Sequence, residues 1–125
     1  MGREKRDIGE AGEKIALAYL KRLGYRICDS NFRTPFGEID IVAKHKGVMV
    51  FVEVKSRATS SLGPPYLSVT KVKEKHIIKN ALFYLKKCRI LNADWRIDIV
   101  SVKFRFDGEL ESIGLIENAV EDDYI

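Results

Sequence analysis

The chain has 125 residues, 46% of them hydrophobic and 10% aromatic, with 22 Lys and Arg against 18 Asp and Glu. That length and composition fit one globular domain, 1–125, and exclude a disordered chain. No apolar run approaches the roughly 20 residues of a membrane helix, and the opening MGREKRDIGEAGEK carries neither a secretory apolar segment nor the sixth-position hydroxyl of a myristoylation signal, so the expected setting is the cytosol with no membrane partner.

The net charge of +4 is unevenly spread. Residues 106–125, an acidic C-terminal segment, carry seven acids and no Lys or Arg, leaving 22 bases against 11 acids in the first 105 residues. A body that basic suits an anionic partner, nucleic acid ahead of an acidic membrane surface, with a merely soluble basic domain as the alternative.

Residues 7–23 read as an amphipathic helix. At about 100° per residue, Ile8, Ala11, Ile15, Ala16, Tyr19, Leu20 and Leu23 share one half of the wheel, and Gly24 supplies the stop. Residues 25–34 are a short strand and a polar connection, with Pro35 and Gly37 marking a turn. Residues 38–44 and 48–55 form a hairpin around His45-Lys46-Gly47, and Val and Ile on both faces of the second run make it a central strand. Residues 56–66 are loop by composition, and with Ser56, Thr59, Ser60, Ser61 and Gly63 the loop is expected to be mobile without ligand. A second helix covers 71–89 with Thr70 as its N-cap, turning Ile77, Ile78, Ala81, Leu82, Tyr84, Leu85 and Cys88 inward. Residues 95–106 are a strand, and Gly108 turns the chain into a further strand, ELESIGLI, before a frayed acidic end. Helix, three strands, helix and two strands pack as an α/β domain, a mixed sheet flanked by helices.

Cys28 and Cys88 stand 60 residues apart and suggest two reduced, partly buried thiols rather than a zinc site or disulfide. His45 and His76 are single and carry no metal-ligand spacing.

Five charged residues, Glu38, Asp40, Glu53, Lys55 and Arg57, interrupt the apolar hairpin, where charge is costly unless paired or bound to metal. Alternation puts Glu38 and Asp40 on one face of their strand and Glu53 and Lys55 on one face of theirs. A two- or four-residue turn sets Asp40 opposite Glu53, with Cβ atoms roughly 5 Å apart, whereas a three-residue loop inverts that face. Two carboxylates that close repel unless a proton or a cation intervenes. A hard divalent ion, Mg²⁺ or Mn²⁺, accepts such oxygens together with water and a phosphate. Lys55 would then orient or deprotonate an attacking water and balance phosphate charge. A structural ion pair, Lys55 bridging Asp40 and Glu53, is the alternative.

Asp40, twelve intervening residues and then Glu53-Val54-Lys55 resemble the PD-(D/E)xK signature of restriction-endonuclease-like nucleases. The blocks GEAGEKIALAYLKRLGYRI, NFRTPFGEIDIVA, FVEVKSR, VTKVKEKHI and WRIDIVSV resemble, in order, those of the YraN-like family of small endonuclease-related proteins, and the arrangement is similar to that of archaeal Holliday-junction resolvases. The resemblance implies a restriction-endonuclease-like fold, with Asp40 and Glu53 on the metal and Lys55 in catalysis, and it implicates Glu13 and Glu38 as well. Ile39 stands where a Pro often precedes the first Asp, a departure that removes no ligand.

The wheel adds to this, for Glu13 lies about 20° beyond Leu20 at the edge of the apolar arc, while Glu10 points farther out. Glu13 can therefore reach inward and join the metal's ligands, or remain a solvated boundary residue. Lys75, Lys79 and Lys86 line a strip that could track a phosphate backbone, and Arg33 and Arg57 are further phosphate contacts. With no motif for reading base edges, structure-selective binding is expected over sequence reading. The chain is thus expected to be a Mg²⁺-dependent DNA endonuclease acting on branched or flapped DNA in repair or recombination. The rival is a non-catalytic nucleic-acid-binding or scaffold protein of the same fold. A homodimer supplying two cuts stays open.

Overall fold

The computed structural model describes residues 2–58 and 69–120. Its elements run in the expected order: α1 (Gly2–Arg22), β1 (Arg26–Thr34), β2 (Gly37–His45), β3 (Val48–Ala58), α2 (Lys71–Lys87), β4 (Trp95–Phe104) and β5 (Leu110–Ile116). The strands form one sheet in the order β1-β2-β3-β4-β5. Only β3 and β4 are parallel, joined through the crossover that contains α2, and the other neighbours are antiparallel. The architecture is the α/β mixed sheet with flanking helices, compatible with a restriction-endonuclease-like fold.

Two cores follow from strand alternation. In β3, Val50 and Val52 pack with Ala16 and Leu20 of α1, whereas Met49 and Phe51 pack with Ile78, Ala81 and Tyr84 of α2. A strand apolar on both faces is thereby buried on both, as the Val-rich run requires. Lys46 and Gly47, at φ 51 and 81, make the two-residue hairpin turn, and His45 pairs with Val48. That is the left-handed turn that suits strand twist.

Several boundaries depart from expectation. The first helix begins five residues earlier and ends before Leu23, which is 43% exposed rather than buried. Gly24, at φ 89, closes it, and the Tyr25 N–H then donates to Leu20 O at 2.9 Å, which satisfies an end carbonyl as a glycine C-cap does. The β3 strand runs on to Ala58, so Ser56 and Arg57 belong to it and not to a loop, held by pairing with Val102 and Lys103 of β4. The expected mobile residues Thr59, Ser60, Ser61 and Gly63 lie outside the described residues. Thr70 caps α2 as expected, its hydroxyl accepting the Lys73 N–H. Leu82 is exposed while Asn80 is buried, because the buried stripe is narrower than the apolar one and its edge packs on the β1–β2 turn. Both cysteines are exposed rather than partly buried. The acidic end is docked at least as far as Val120, which is 5% exposed, and the Ala119 N–H donates to Ile97 O at 2.7 Å. Residues 121–125 lie outside the described residues.

A polar network unsuspected from the sequence ties α1, β2, β4 and the C-terminal segment together. The buried Asp98 accepts from Tyr25 Oη at 2.8 Å, Arg96 Nε at 3.0 Å and the Asn118 N–H at 2.9 Å. His45 stacks on Tyr25 with ring centroids 4.1 Å apart, and its Nδ1 accepts from Arg96 at 3.1 Å. His45 therefore supports this network at the turn end of the hairpin. Burial and the Asp98 charge both push the Tyr25 phenol well above its ordinary range.

Gly12 sets how closely α1 approaches the sheet. A Cβ built there would lie 1.9 Å from Ser56 Oγ and 3.0 Å from Ser56 Cβ. Ser56 Oγ is itself buried with no hydrogen-bond partner among the described residues. Gly12→Ala is expected to destabilise the fold by about 1–3 kcal/mol, as overpacking does. The double variant with Ser56→Gly is expected to recover most of that loss. Chemical denaturation of both checks the contact, and a Gly12→Ala chain as stable as the parent contradicts it.

Candidate active site

The site forms where β2 and β3 part. Their ladder runs from His45–Val48 to Ile41–Val52 and stops one pair short of Asp40 and Glu53. Instead of facing Glu53 across a ladder, Asp40 turns its Oδ2 to accept the Val54 N–H at 2.7 Å. The expected opposition of the two acids is thus replaced by a gap, because the carboxylate has taken a peptide donor that further pairing would need.

Alternation changes along β2 as well. Ile39 packs in the α2 core and Ile41 in the α1 core, although residues two apart in a regular strand share a face. Glu38 and Asp40 therefore do not share a face as expected. The register of β1 on β2 passes from Ser30–Ile41 to Phe32–Ile39, which leaves Asn31 across from Asp40. Asn31 sits at φ 52, a left-handed conformation that asparagine tolerates. With its nitrogen turned toward the acids, its amide donates to Glu38 Oε1 at 2.7 Å and to Glu13 Oε2 at 3.1 Å. Glu38 and Glu13 are thus gathered on the α1 side. Asn31 opens the NFRTPFGEIDIVA block, but neither periodicity nor the acid-and-lysine motif gave it a role.

Glu53 and Lys55 lie on the opposite face of β3 from the α1-packed Val52, and their ion pair measures 3.0 Å. Lys55 does not bridge to Asp40, since no described ion pair joins them. Glu53 shares a small cleft with Glu38, Ile77 and Asn80. Asp40 lies between the two groups, half-buried. Burial, then the Glu53 charge, and then Glu13 push its carboxyl up to about 8, against the opposing pull of the Val54 N–H and Lys55. Glu13 is also raised, by burial first and then by Glu38, Glu10 and Glu53. The fold thus brings Glu13, Glu38, Asp40, Glu53 and Lys55 within electrostatic reach of one another, while Glu10 is exposed on the outer side of α1.

The basic residues are more scattered. Arg33 is exposed on β1 and pairs with Glu38, and Arg57 is half-buried in β3. Lys75, Lys79 and Lys86 are all exposed on α2, and the Lys79 Nζ lies 5.8 Å from the centre of the Phe36 ring.

The donor set is chemically suited to a hard cation. Its atoms are carboxylate oxygens, and burial first, then the Glu53 charge, hold the Asp40 carboxyl up. Among the described residues, no three His, Cys, Asp or Glu side chains converge as a ready-made cage. Mg²⁺ does not require one, for it is usually held by one or two carboxylates with water and substrate phosphate filling its shell. Asp40 and Glu53 carry the oxygens that role needs.

The model of the uncharacterised protein family UPF0102 matches residues 12–102. A UPF0102 protein of Geobacter metallireducens is 44% identical over 121 residues, covering 97% of this chain and 98% of that one. One from Desulfosudis oleivorans is 45% identical over 118 residues, 94% and 93% of the two chains. One from Caldicellulosiruptor saccharolyticus is 38% identical over 115 residues, 92% and 98%. The matched span contains every acid of the site and Lys55.

The Asp40 shift has a consequence for stability. An acid whose carboxyl sits near 8 when folded, against about 3.9 unfolded, favours the folded state most below about 4. That contribution is lost progressively as pH rises through about 8. Without divalent ions, the parent is expected to lose stability relative to Asp40→Asn between pH 5.5 and 8.5. Denaturation midpoints of the pair across that range test it, and parallel profiles would contradict the placement of Asp40.

Proposed function

This chain belongs to the uncharacterised protein family UPF0102, the YraN-like branch of the restriction-endonuclease-like superfamily, and on that premise we propose that it is a metal-dependent endonuclease that hydrolyses DNA phosphodiester bonds. The observation that carries this reading is Asp40, held in the gap between β2 and β3 with its carboxyl driven up by burial and by Glu53. A half-buried acid in that position costs stability that a Val would not, and a bound cation would offset the cost.

Asp40 and Glu53 would hold the ion, with Glu13 as a further carboxylate beside them. A bound Mg²⁺ or Mn²⁺ would supply positive charge to the phosphate there. Lys55, 3.0 Å from Glu53, is held by that acid beside the gap, where its ammonium orients an attacking water and meets the phosphate. Asn31 fixes Glu13 and Glu38 and so keeps the α1 side of the gap shaped. The exposed lysines of α2, with no base-reading element among the described residues, favour branched or flapped DNA, met in repair or recombination. Among the described residues no helix is long and apolar enough to cross a membrane.

A second reading, a nucleic-acid-binding module without catalysis, is favoured by one observation: the acids already hold internal partners, Asp40 on Val54, Glu53 on Lys55, and Glu13 and Glu38 on Asn31. Two outcomes separate the readings. Mg²⁺ or Mn²⁺ is expected to raise the melting temperature of the parent but not of Asp40→Asn. Lys55→Ala is expected to lower metal-dependent nicking of flapped or four-way DNA by roughly 10²-fold or more with little change in affinity. Replacing Lys75, Lys79 and Lys86 together should do the reverse, weakening binding and flattening its salt slope by roughly 2 to 3. A parent that cuts neither substrate with either ion is the binding module.

Glu13 is tested separately. Glu13→Gln is expected to reduce metal affinity or nicking by roughly 10-fold or more, whereas Glu10→Gln stays near the parent, as exposed substitutions do. Equal effects from the two, by metal titration and nicking rate, remove Glu13 from the site.

A further inference from the structure

Beside the acids, the tip of the β1–β2 hairpin carries Phe36 at 47% exposure. Its position is fixed from below by Asn80 of α2, which is 5% exposed. The Thr34 hydroxyl donates to Asn80 Oδ1, and Asn80 Nδ2 donates to Glu38 O at 3.4 Å. Thr34 Oγ1 in turn accepts the Phe36 N–H at 3.0 Å. Gly37, at φ 143, makes the turn, and a Cβ there would meet Asn80 Nδ2 at 3.5 Å. The ring is therefore held at the surface by a buried amide and not left there by a loose loop.

What surrounds it is aromatic and cationic. Phe83 meets Phe36 edge-on, with centroids 6.5 Å apart at 80°. Lys79 Nζ is 5.8 Å from the Phe36 centroid, and Lys87 Nζ is 5.9 Å from that of Phe83. Lys79, Phe83 and Lys87 recur at every fourth residue, so they form one row along α2. A single exposed Phe needs no explanation. An exposed ring with ammonium groups along the adjoining row is the composition that single-stranded nucleic acid selects, bases stacking on rings and phosphates meeting lysines.

We propose that Phe36, backed by Phe83 and flanked by Lys79 and Lys87, is a stacking platform for an unpaired DNA segment leading into the acidic gap. This rests on the endonuclease reading above for the choice of DNA. A base inside a duplex has both faces covered by its neighbours and cannot stack on the ring, so the platform selects unpaired strand without reading sequence. Glu38, two residues beyond Phe36, lines the same cleft as Glu53 and Asn80, which brings a strand resting on the platform to the site. A protein partner is the other occupant an exposed ring admits, and the row of lysines favours the anionic one.

Binding is measured without divalent ions, by fluorescence anisotropy with labelled oligo-dT and with a blunt duplex. The parent is expected to prefer the single strand. Phe36→Ala and Phe36→Leu are expected to weaken oligo-dT binding by about tenfold or more, while Phe36→Trp keeps it and duplex affinity stays within about twofold. Single-strand affinity unchanged in Phe36→Ala and Phe36→Leu overturns the platform, as does a parent with no preference for the single strand, the result expected of a protein-docking surface. Should the variants fail to fold, photocrosslinking of 5-iodouracil oligonucleotides to the parent decides, with a crosslink at Phe36 expected and crosslinks only elsewhere overturning the proposal. A parent that binds through Phe36 yet cuts nothing refutes the nuclease reading and leaves the platform standing. A parent that cuts, with no Phe36 dependence of single-strand binding, does the opposite.

Discussion

The hydrogen bond from the Val54 N–H to Asp40 Oδ2, 2.7 Å long, is the contact on which the site depends. A ladder continued past Ile41 and Val52 would have used that N–H for pairing and brought Asp40 directly against Glu53. By accepting it, Asp40 keeps a buried carboxylate partly satisfied and holds the two strands apart. The gap that results is where charged side chains from both faces of the sheet can approach one another. One peptide donor thus converts a hairpin into a site.

The two faces contribute different chemistry. From the α1 side come Glu13 and Glu38, gathered by the left-handed Asn31, and the approach of α1 depends on Gly12 lying against Ser56. From the other side come Glu53 and Lys55, locked in their own ion pair. Their pairing lowers the cost of burial on that side, whereas Asp40 is the acid whose carboxyl is pushed up, by burial first and then by the Glu53 charge.

Stability is anchored elsewhere. Asp98, fully buried, is met by Tyr25, by Arg96 through two nitrogens and by the Asn118 N–H, so four donors compensate a charge that would otherwise be prohibitive. That network joins the end of α1 to β4 and the C-terminal segment. It lies toward the turn end of the hairpin, where His45 stacks, and the acidic gap lies toward the other.

The order of elements, the central place of β3, the Thr70 cap and the Gly24 stop were all legible in the sequence, because each follows from local periodicity or from backbone preferences of single residues, whereas the length of the turn at Lys46-Gly47 was left open between two, three and four residues. The types of residue in the site, Asp40, Glu53, Lys55 and a rim carboxylate at Glu13, were legible for the same reason: charge at strand positions and the edge of a helical stripe are local patterns. Periodicity could not show that the ladder stops at Ile41–Val52, that alternation changes at Asp40, or that Asn31 ties Glu13 to Glu38. It also misplaced Ser56 and Arg57 in a loop, since composition there is polar while pairing with β4 makes them strand. The sequence by itself determined which elements form and which charges must be accommodated. The tertiary structure alone decided where those charges meet, because a strand's register and end point are set by the donors and acceptors of its neighbours, and those neighbours are distant in the chain.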